Sequence, residues 1–283
     1  MNKELKKIYD ALLHRLRQGG PTVVAYSGGT DSSLLARAAF DALGAESCAV
    51  TVVSPSLAAS ELEESRTVAA EIGIRHVLIE GREMEDIRYR KNDSDRCYFC
   101  KFHSFKDIRA FAESEGLHSI VDGHNADDSG DYRPGHRAAG EQGVRSPLKE
   151  LNIGKERVRE LAKALGLSNW DKPAAACLAS RIPYGSEVDR RKLSAVEKGE
   201  AFLHSLGFRQ CRLRHHGHIA RIEVEAQDLE NALKQREGIL SFMRDLGFQY
   251  VTLDLSGFES GSMNRVLGSE GSGSDGAPGA EHE

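Results

Sequence analysis

The most constraining stretch of this chain is Ser27-Gly28-Gly29-Thr30-Asp31-Ser32, which separates two segments of opposite periodicity. Before it, Thr22 to Tyr26 (TVVAY) is a short run of apolar and β-branched residues, the pattern of a buried strand. After it, Asp31 to Leu43 has helical spacing. Two glycines at the carboxyl end of a buried strand allow a tight turn and a close backbone approach to a ligand. The N–H groups of the turn and of the first helical turn then converge on one point. The positive end of the helix dipole makes that point a cradle for phosphate oxygens. Ser27, Ser32 and Ser33 add hydroxyl donors, and Asp31 is placed to hold Mg²⁺ on the phosphates. No lysine follows the glycines, so this is not the GxxxxGK[ST] loop.

The rest of the first half continues the strand–helix alternation. Strands are expected at Cys48–Ser54, His76–Ile79 and Ser119–Asp122, with helices over 58–72 and roughly 101–115. That order predicts an α/β fold with a parallel sheet wrapped by helices. Residues 129–146 are polar and glycine-rich and read as a long active-site loop. A helix over 154–166 and a proline-bounded loop, KPAAACLASRIPYG, follow. The pattern then changes to a helix over 188–206, a hairpin over 209–224 turning at His216-Gly217-His218, a helix over 227–246 and a strand over 250–255. The expected organisation is an α/β domain over 1–185, a small α+β domain over 186–267 and a low-complexity, disordered tail over 268–283.

Charge excludes little by its total and more by its placement. The net charge is −5, but the last sixteen residues hold four carboxylates and no lysine or arginine, so residues 1–267 are close to neutral. A near-neutral body without a long basic stripe argues against a nucleic-acid partner. No apolar run reaches the length of a membrane span, and the N-terminus lacks a signal-peptide core, so a cytoplasmic protein is expected. Five cysteines, an odd number at uneven spacing, argue for reduced or metal-bound thiols rather than disulfides.

Cys97-Tyr98-Phe99-Cys100 places two thiols on one side of a helix start, and Cys177 lies far away in sequence. Three readings compete on spacing alone. Cys97, Cys100 and Cys177 bind three irons of a 4Fe–4S cluster with one iron left open; or His103 completes a Cys₃His zinc site; or Cys97 and Cys100 are a redox pair or a buried coincidence. Cys48 and Cys211 sit on strands and read as small core residues.

The hexapeptide resembles the SGGxDS loop of N-type (PP-loop, HUP-like) ATP pyrophosphatases, which cleave ATP between the α and β phosphates and transfer AMP to a substrate oxygen. Three further segments extend the likeness: Asp122-Gly123-His124-Asn125-Ala126-Asp127-Asp128, Asp131-Tyr132-Arg133-Pro134-Gly135, and Pro173 through Cys177, Ser180, Arg181 and Pro183 to Gly185. Together they resemble the LarE family of ATP-dependent sulfur transferases in nickel-pincer nucleotide assembly, from about residue 5 to 267. The resemblance implies adenylation of a carboxylate of pyridinium-3,5-biscarboxylic acid mononucleotide, its conversion to a thiocarboxylate, and a homo-oligomer. It implies ATP on Ser27, Gly28, Gly29, Asp31, Ser32 and Gly123. In one version of the family the cysteine matching Cys177 is consumed as sulfur donor, and no CxxC is present. This chain resembles instead the three-cysteine version, in which a 4Fe–4S cluster delivers sulfide.

Other candidates follow with fewer constraints. Ser180 and Arg181 flank Cys177 and suit a substrate phosphate or carboxylate, or a loop salt bridge. Arg212 and Arg214 alternate on one strand face, and paired guanidiniums suit a phosphomonoester; the resemblance assigns them the mononucleotide phosphate. Asp127 and Asp128 are Mg²⁺ ligands or turn caps. Glu200 and Glu223 are candidate metal or substrate contacts, against the usual surface position of helix and strand glutamates. His215, His216 and His218 cluster near the hairpin tip without an assigned role. The rival functions are a tRNA-thiolating or amidotransferase-like enzyme of the same superfamily, and a nucleotide- or metal-binding module without turnover.

Overall fold

The computed structural model describes residues 1–130, 134–173 and 176–259. The expected tail over 268–283 and the Asp131-Tyr132-Arg133 part of the third motif lie outside the described residues. The helices are α1 (Lys3–Arg17), α2 (Thr30–Leu43), α3 (Ala59–Ile72), α4 (Ile87–Lys91), α5 (Arg96–Ser114), α6 (Pro134–Glu141), α7 (Pro147–Glu150), α8 (Lys155–Ala164), α9 (Arg190–Ser205), α10 (Leu229–Lys234) and α11 (Arg236–Asp245). The strands are β1 (Thr22–Ala25), β2 (Ser47–Val53), β3 (Arg75–Glu80), β4 (Ser119–Asp122), β5 (Cys211–His216), β6 (Ile219–Val224) and β7 (Tyr250–Leu253). The chain divides into two compact units, Met1–Ala179 with Tyr184–Leu193, and Ser180–Pro183 with the chain from Ser194 onward.

The first unit is an α/β fold with a four-stranded parallel sheet in the order β3-β2-β1-β4. Its strands are short apolar runs because both sheet faces are covered. Val24, Ala49 and Val121 join a core with Leu12 and Leu16 of α1, Leu34 and Leu35 of α2, Val68 of α3 and Val158 of α8. Their strand neighbours Val23, Cys48, Val50 and Ile120 turn to the opposite face, under Phe105 and Ile108 of α5. Cys48 is thus a core residue, as its strand position predicts. Chain progression runs outward from β1 through β2 to β3, then returns to place β4 on the other side of β1. Ligands of open parallel sheets bind at the carboxyl ends of strands at such a reversal. The hexapeptide follows β1, and Gly123 follows β4.

The expected loop over 129–146 is in part helical. Over Pro134–Glu141 the chain forms α6, with Ala138 and Ala139 buried. Two small side chains suffice for α6 to pack closely on α5, although the segment reads as polar. Beyond it, the Arg145 N–H donates to the Ile120 carbonyl at 3.0 Å, and Asp122 N–H to the Arg145 carbonyl at 2.9 Å, extending the sheet by a single bridge. Helix α5 begins at Arg96, five residues earlier than the apolar spacing indicates, so Cys97 and Cys100 fall in its first turns.

The second unit has a three-stranded sheet, β5-β6 antiparallel and β6-β7 parallel. Leu203, Phe208, Leu213, Ile222, Ile239 and Met243 form its core, and Cys211 is buried among them. The single helix expected over 227–246 is two helices, broken at Gln235. Among the described residues, no helix is long and apolar enough to cross a membrane.

Glu200 and Glu223 are not surface residues. Glu223 is 1% exposed and receives Arg214 Nη2 at 2.8 Å and Arg221 Nη2 at 2.9 Å. Glu200 receives Arg181 Nε at 2.9 Å and the Leu213 N–H at 3.0 Å. Removing one member of a buried ion pair strands the other, which costs about 3–5 kcal/mol. Glu223→Ala is therefore expected to lose about that much in urea unfolding. The exposed pair Lys6–Asp10 serves as a comparison, and Asp10→Ala should shift the midpoint little.

Candidate active site

The loop over 27–32, the candidate phosphate site, is held by its own backbone and by two asparagines. Gly28 has φ +74°, a left-handed conformation that glycine adopts without strain, and a Cβ there would lie 2.7 Å from Ser65 Cβ. Gly29 caps α2 with no side-chain bond to the helix N–H groups, which leaves those donors for a ligand. Ser27 Oγ and Ser32 Oγ lie 3.1 Å apart, and Ser32 Oγ donates to the Gly29 carbonyl at 3.0 Å. The buried Asn169 donates from Nδ2 to the Gly28 carbonyl and to Ser33 Oγ, both at 2.9 Å, while its main-chain carbonyl accepts Thr30 Oγ1 at 2.8 Å. Asn125 Nδ2 donates to Asp31 Oδ1 at 2.9 Å and fixes that carboxylate at the helix start. At Gly123 a Cβ would come within 2.8 Å of the Ser32 nitrogen, so only glycine lets the strand β4 turn approach the loop this closely.

The acidic residues of the second motif are built into turns. Asp127 Oδ2 accepts the Lys155 N–H at 2.7 Å and so caps α8, while Asp128 Oδ2 accepts the Asn125 N–H at 3.1 Å. Asp122 is buried at the end of β4 and accepts Ser146 Oγ at 2.7 Å, with His124 Nδ1 also at 2.7 Å. Burial opposes ionisation of Asp122, but the bonds from His124 and Ser146 outweigh it and hold the carboxyl below its ordinary value of 3.8. A depressed folded-state pKa contributes stability above the unfolded value, and that contribution is lost as pH falls through the folded one. Asp122→Asn is expected to be less stable than the parent at neutral pH, with the gap closing as the solution is acidified. Chemical unfolding followed from neutral to acidic pH checks this.

All three expected sulfur ligands face the same hollow as the phosphate loop. Ser27, Gly29, Thr30 and Asp31 line one part of a cavity of about 390 Å³; Cys97, Cys100 and Cys177 line another. The cavity lies wholly within the first unit. Cys97 and Cys177 are exposed, and Cys100 is half-buried. Desolvation of its sulfur, with Cys177 and Glu83 nearby, pushes the Cys100 thiol up to about 12. Among the described residues, no three His, Cys, Asp or Glu side chains are drawn together tightly enough to grip a single metal ion. His103, the expected fourth zinc ligand, has Nε2 2.8 Å from Asp86 Oδ2.

The cavity is basic in ways the sequence does not advertise. Lys101 and Lys155 line it, as does Lys172, whose Nζ bonds Glu61 and Glu64 at 2.7 Å each. Arg96 is buried at its floor beside Cys97. Sequence reasoning missed Arg96, Asn125, Asn169 and Lys172 as parts of the site. Asn125 sits inside a recognised motif and was open to assignment; the other three carry no spacing signal.

Ser180, Arg181, Arg212, Arg214, Glu200 and Glu223 belong to the second unit. Arg214 is engaged by Glu223 and by the Ser180 carbonyl at 3.0 Å, and Arg181 by Glu200 and by Ser180 Oγ at 2.8 Å. Arg212 differs. Its Nη1 donates to the Cys211 carbonyl at 2.7 Å and its guanidinium lies 4.8 Å from the Phe258 ring centre, without a carboxylate partner among the described residues. Burial first, then the neighbouring Arg181, lowers its pKa from the ordinary arginine value. His215 packs edge-on to Phe248, with ring centres 4.9 Å apart.

No family model matches the chain. Among curated proteins, an uncharacterized protein of Synechocystis is 44% identical over 247 residues, covering 87% of this chain and 92% of the relative. The pyridinium-3,5-bisthiocarboxylic acid mononucleotide synthase of Lactiplantibacillus plantarum is 36% identical over 248 residues, covering 86% of this chain and 89% of that enzyme. An uncharacterized protein of Methanocaldococcus jannaschii is 29% identical over 258 residues, covering 91% and 98%. A glycine-lined loop at a strand reversal thus coincides with near full-length similarity to an enzyme of thiocarboxylate synthesis, and the chain belongs to the LarE family.

Proposed function

We propose that this chain is an ATP-dependent sulfur transferase that converts a carboxylate of pyridinium-3,5-biscarboxylic acid mononucleotide into a thiocarboxylate. The observation that carries this reading is the shared cavity, with a phosphate loop in one part and three cysteines in another. The N–H groups after Gly29 are the donors for the ATP phosphates, and Asp31, fixed by Asn125, is the residue that would hold Mg²⁺, which would supply charge neutralisation there. A substrate carboxylate oxygen attacks the α phosphorus, pyrophosphate leaves, and an acyl-adenylate remains. A sulfur nucleophile then attacks the acyl carbon, the C–O bond to AMP breaks, and the thiocarboxylate is released. Activation of this kind is needed because a carboxylate oxygen is a poor leaving group, whereas AMP is a good one.

A 4Fe–4S group fits the donor set, since three soft thiol ligands surround one hollow that also holds a buried cation. Cys97, Cys100 and Cys177 would hold it, and its chemistry when bound is to present sulfide as a renewable nucleophile. Arg212, whose guanidinium has no carboxylate partner among the described residues, is the donor for the substrate's phosphate, with Arg214 held in place by Glu223. Mg²⁺ roles for Asp127 and Asp128, and ligand roles for Glu200 and Glu223, are not part of this proposal, because those carboxylates already serve as caps and counter-ions.

A second reading has Cys177 itself give up its sulfur, and its exposure in the cavity favours access to the acyl-adenylate. Pyrophosphate release separates this enzyme from a passive nucleotide-binding module. Release that requires the dicarboxylate mononucleotide supports the proposal; ATP binding without such release sinks it.

A further inference from the structure

Three arginines of the described chain are almost fully buried: Arg96, Arg181 and Arg214. Two of them face a buried glutamate, Arg181 with Glu200 and Arg214 with Glu223. Arg96 does not. It is 4% exposed and opens α5 directly before Cys97. Its Nη1 donates to Asn92 Oδ1 at 2.6 Å and to the Ala179 carbonyl at 2.8 Å, and its Nη2 lies 3.9 Å from Cys97 Sγ. The Tyr184 ring centre is 5.8 Å from its guanidinium carbon. Its acceptors are therefore an amide, a carbonyl and a sulfur, with no carboxylate among the described residues.

A buried, uncompensated charge is costly. Arginine cannot escape that cost by losing its proton, because the guanidinium stays charged in proteins. The arrangement is nonetheless held firmly. Asn92 is fully buried in a left-handed conformation, φ 61°, and its Nδ2 is anchored on the Ser186 carbonyl at 3.0 Å. The Ala179 carbonyl that Arg96 grips lies two residues beyond Cys177. One side chain therefore joins the start of the Cys97 helix to the segment carrying Cys177, and both cysteines line the cavity that Arg96 floors.

We infer that Arg96 is the positioning residue of the sulfur site, a fixed cation that balances anionic sulfur at Cys97 and Cys177 and a clamp that joins their two segments. The inference takes its purpose from the proposed sulfur chemistry, but its charge is measurable on the thiols alone. A cation at this distance draws in an anionic reagent and has little effect on a neutral one. The ratio of alkylation rates by iodoacetate and iodoacetamide at one thiol therefore reports local charge, independently of that thiol's ionised fraction.

The experiment uses the full chain, free of iron, with modification at Cys97 and Cys177 resolved by peptide mass spectrometry. The ratio is expected to fall roughly fivefold at Cys97 in Arg96→Gln. Most of it should be kept in Arg96→Lys, which retains charge but not the fork. Asn92→Asp, which sets a carboxylate against the intact guanidinium, should lower the ratio as Arg96→Gln does and serves if Arg96→Gln fails to fold. A ratio unchanged within about twofold in the folded variants overturns the inference. Iron and acid-labile sulfide uptake by the parent chain is measured in parallel. Failure of that uptake removes the cluster reading while leaving the alkylation ratio to decide on Arg96.

Discussion

Cys177→Ala is expected to release pyrophosphate from ATP in the presence of the dicarboxylate mononucleotide yet form no thiocarboxylate. The two proposed half-reactions should separate because the residues assigned to them are held by different parts of the first unit. The phosphate loop is positioned by Asn169, Asn125 and the close packing of Gly28 on Ser65, none of which involves Cys177. Removing a nucleophile or the group that carries it costs on the order of a thousandfold or more in the step it serves. Pyrophosphate release should change far less than that, and adenylated substrate should accumulate or hydrolyse. Cys97→Ala and Cys100→Ala should behave alike if all three thiols act as a set. If they retain full activity over many turnovers while Cys177→Ala does not, the set is not required and Cys177 acts alone.

Gly28→Ala is expected to weaken that first half-reaction through loss of ATP affinity. A non-glycine residue at φ +74° pays roughly 1–2 kcal/mol for the left-handed conformation. The added methyl would also stand 2.7 Å from Ser65 Cβ, in the body of α3, and overpacking of this kind costs about 1–3 kcal/mol. The loop would relieve both by moving away from α3, which would misdirect the N–H groups proposed to cradle the phosphates. At 1.4 kcal/mol per factor of ten, ATP affinity should fall by at least tenfold. Gly20→Ala is the matched control. Gly20 has φ +68°, and nothing lies within 4 Å of the position its Cβ would take. It should lose the backbone part in stability and bind ATP as the parent does, by calorimetry on both variants.

The parts of this molecule legible in its sequence are those whose function imposes a local pattern. A buried strand, two glycines and a helix start must be contiguous for a phosphate loop to work, so Thr22 to Leu43 announces the local fold and suggests the chemistry proposed for it. The CxxC spacing likewise marks one side of a helix start, although α5 begins earlier than its apolar residues suggest. Burial created by pairing leaves no such mark. Glu200 and Glu223 read as candidate metal or substrate contacts, and their pairing left no mark because Arg181 and Arg214, which they face, are 19 and 9 residues away. Arg96 lies within the charged run NDSDRC, where nothing distinguishes a floor residue from a solvated one. The helix α6 escaped for a related reason. Its buried contribution is a pair of alanines within a polar, glycine-rich stretch, too little apolar area to register as periodicity.

The central claim is that carboxylate activation and sulfur delivery occur in one cavity and that the sulfur is renewed. Mass spectrometry of an anaerobic reaction tests it most directly, with iron- and sulfide-reconstituted protein, ATP, Mg²⁺, excess sulfide and the dicarboxylate mononucleotide. Product and intact protein are weighed in the same sample. The expected result is a nucleotide in which sulfur replaces carboxylate oxygen, in molar excess over protein whose Cys177 is unchanged. Product that stops at the amount of protein present, with a matching loss of sulfur from Cys177, would contradict it.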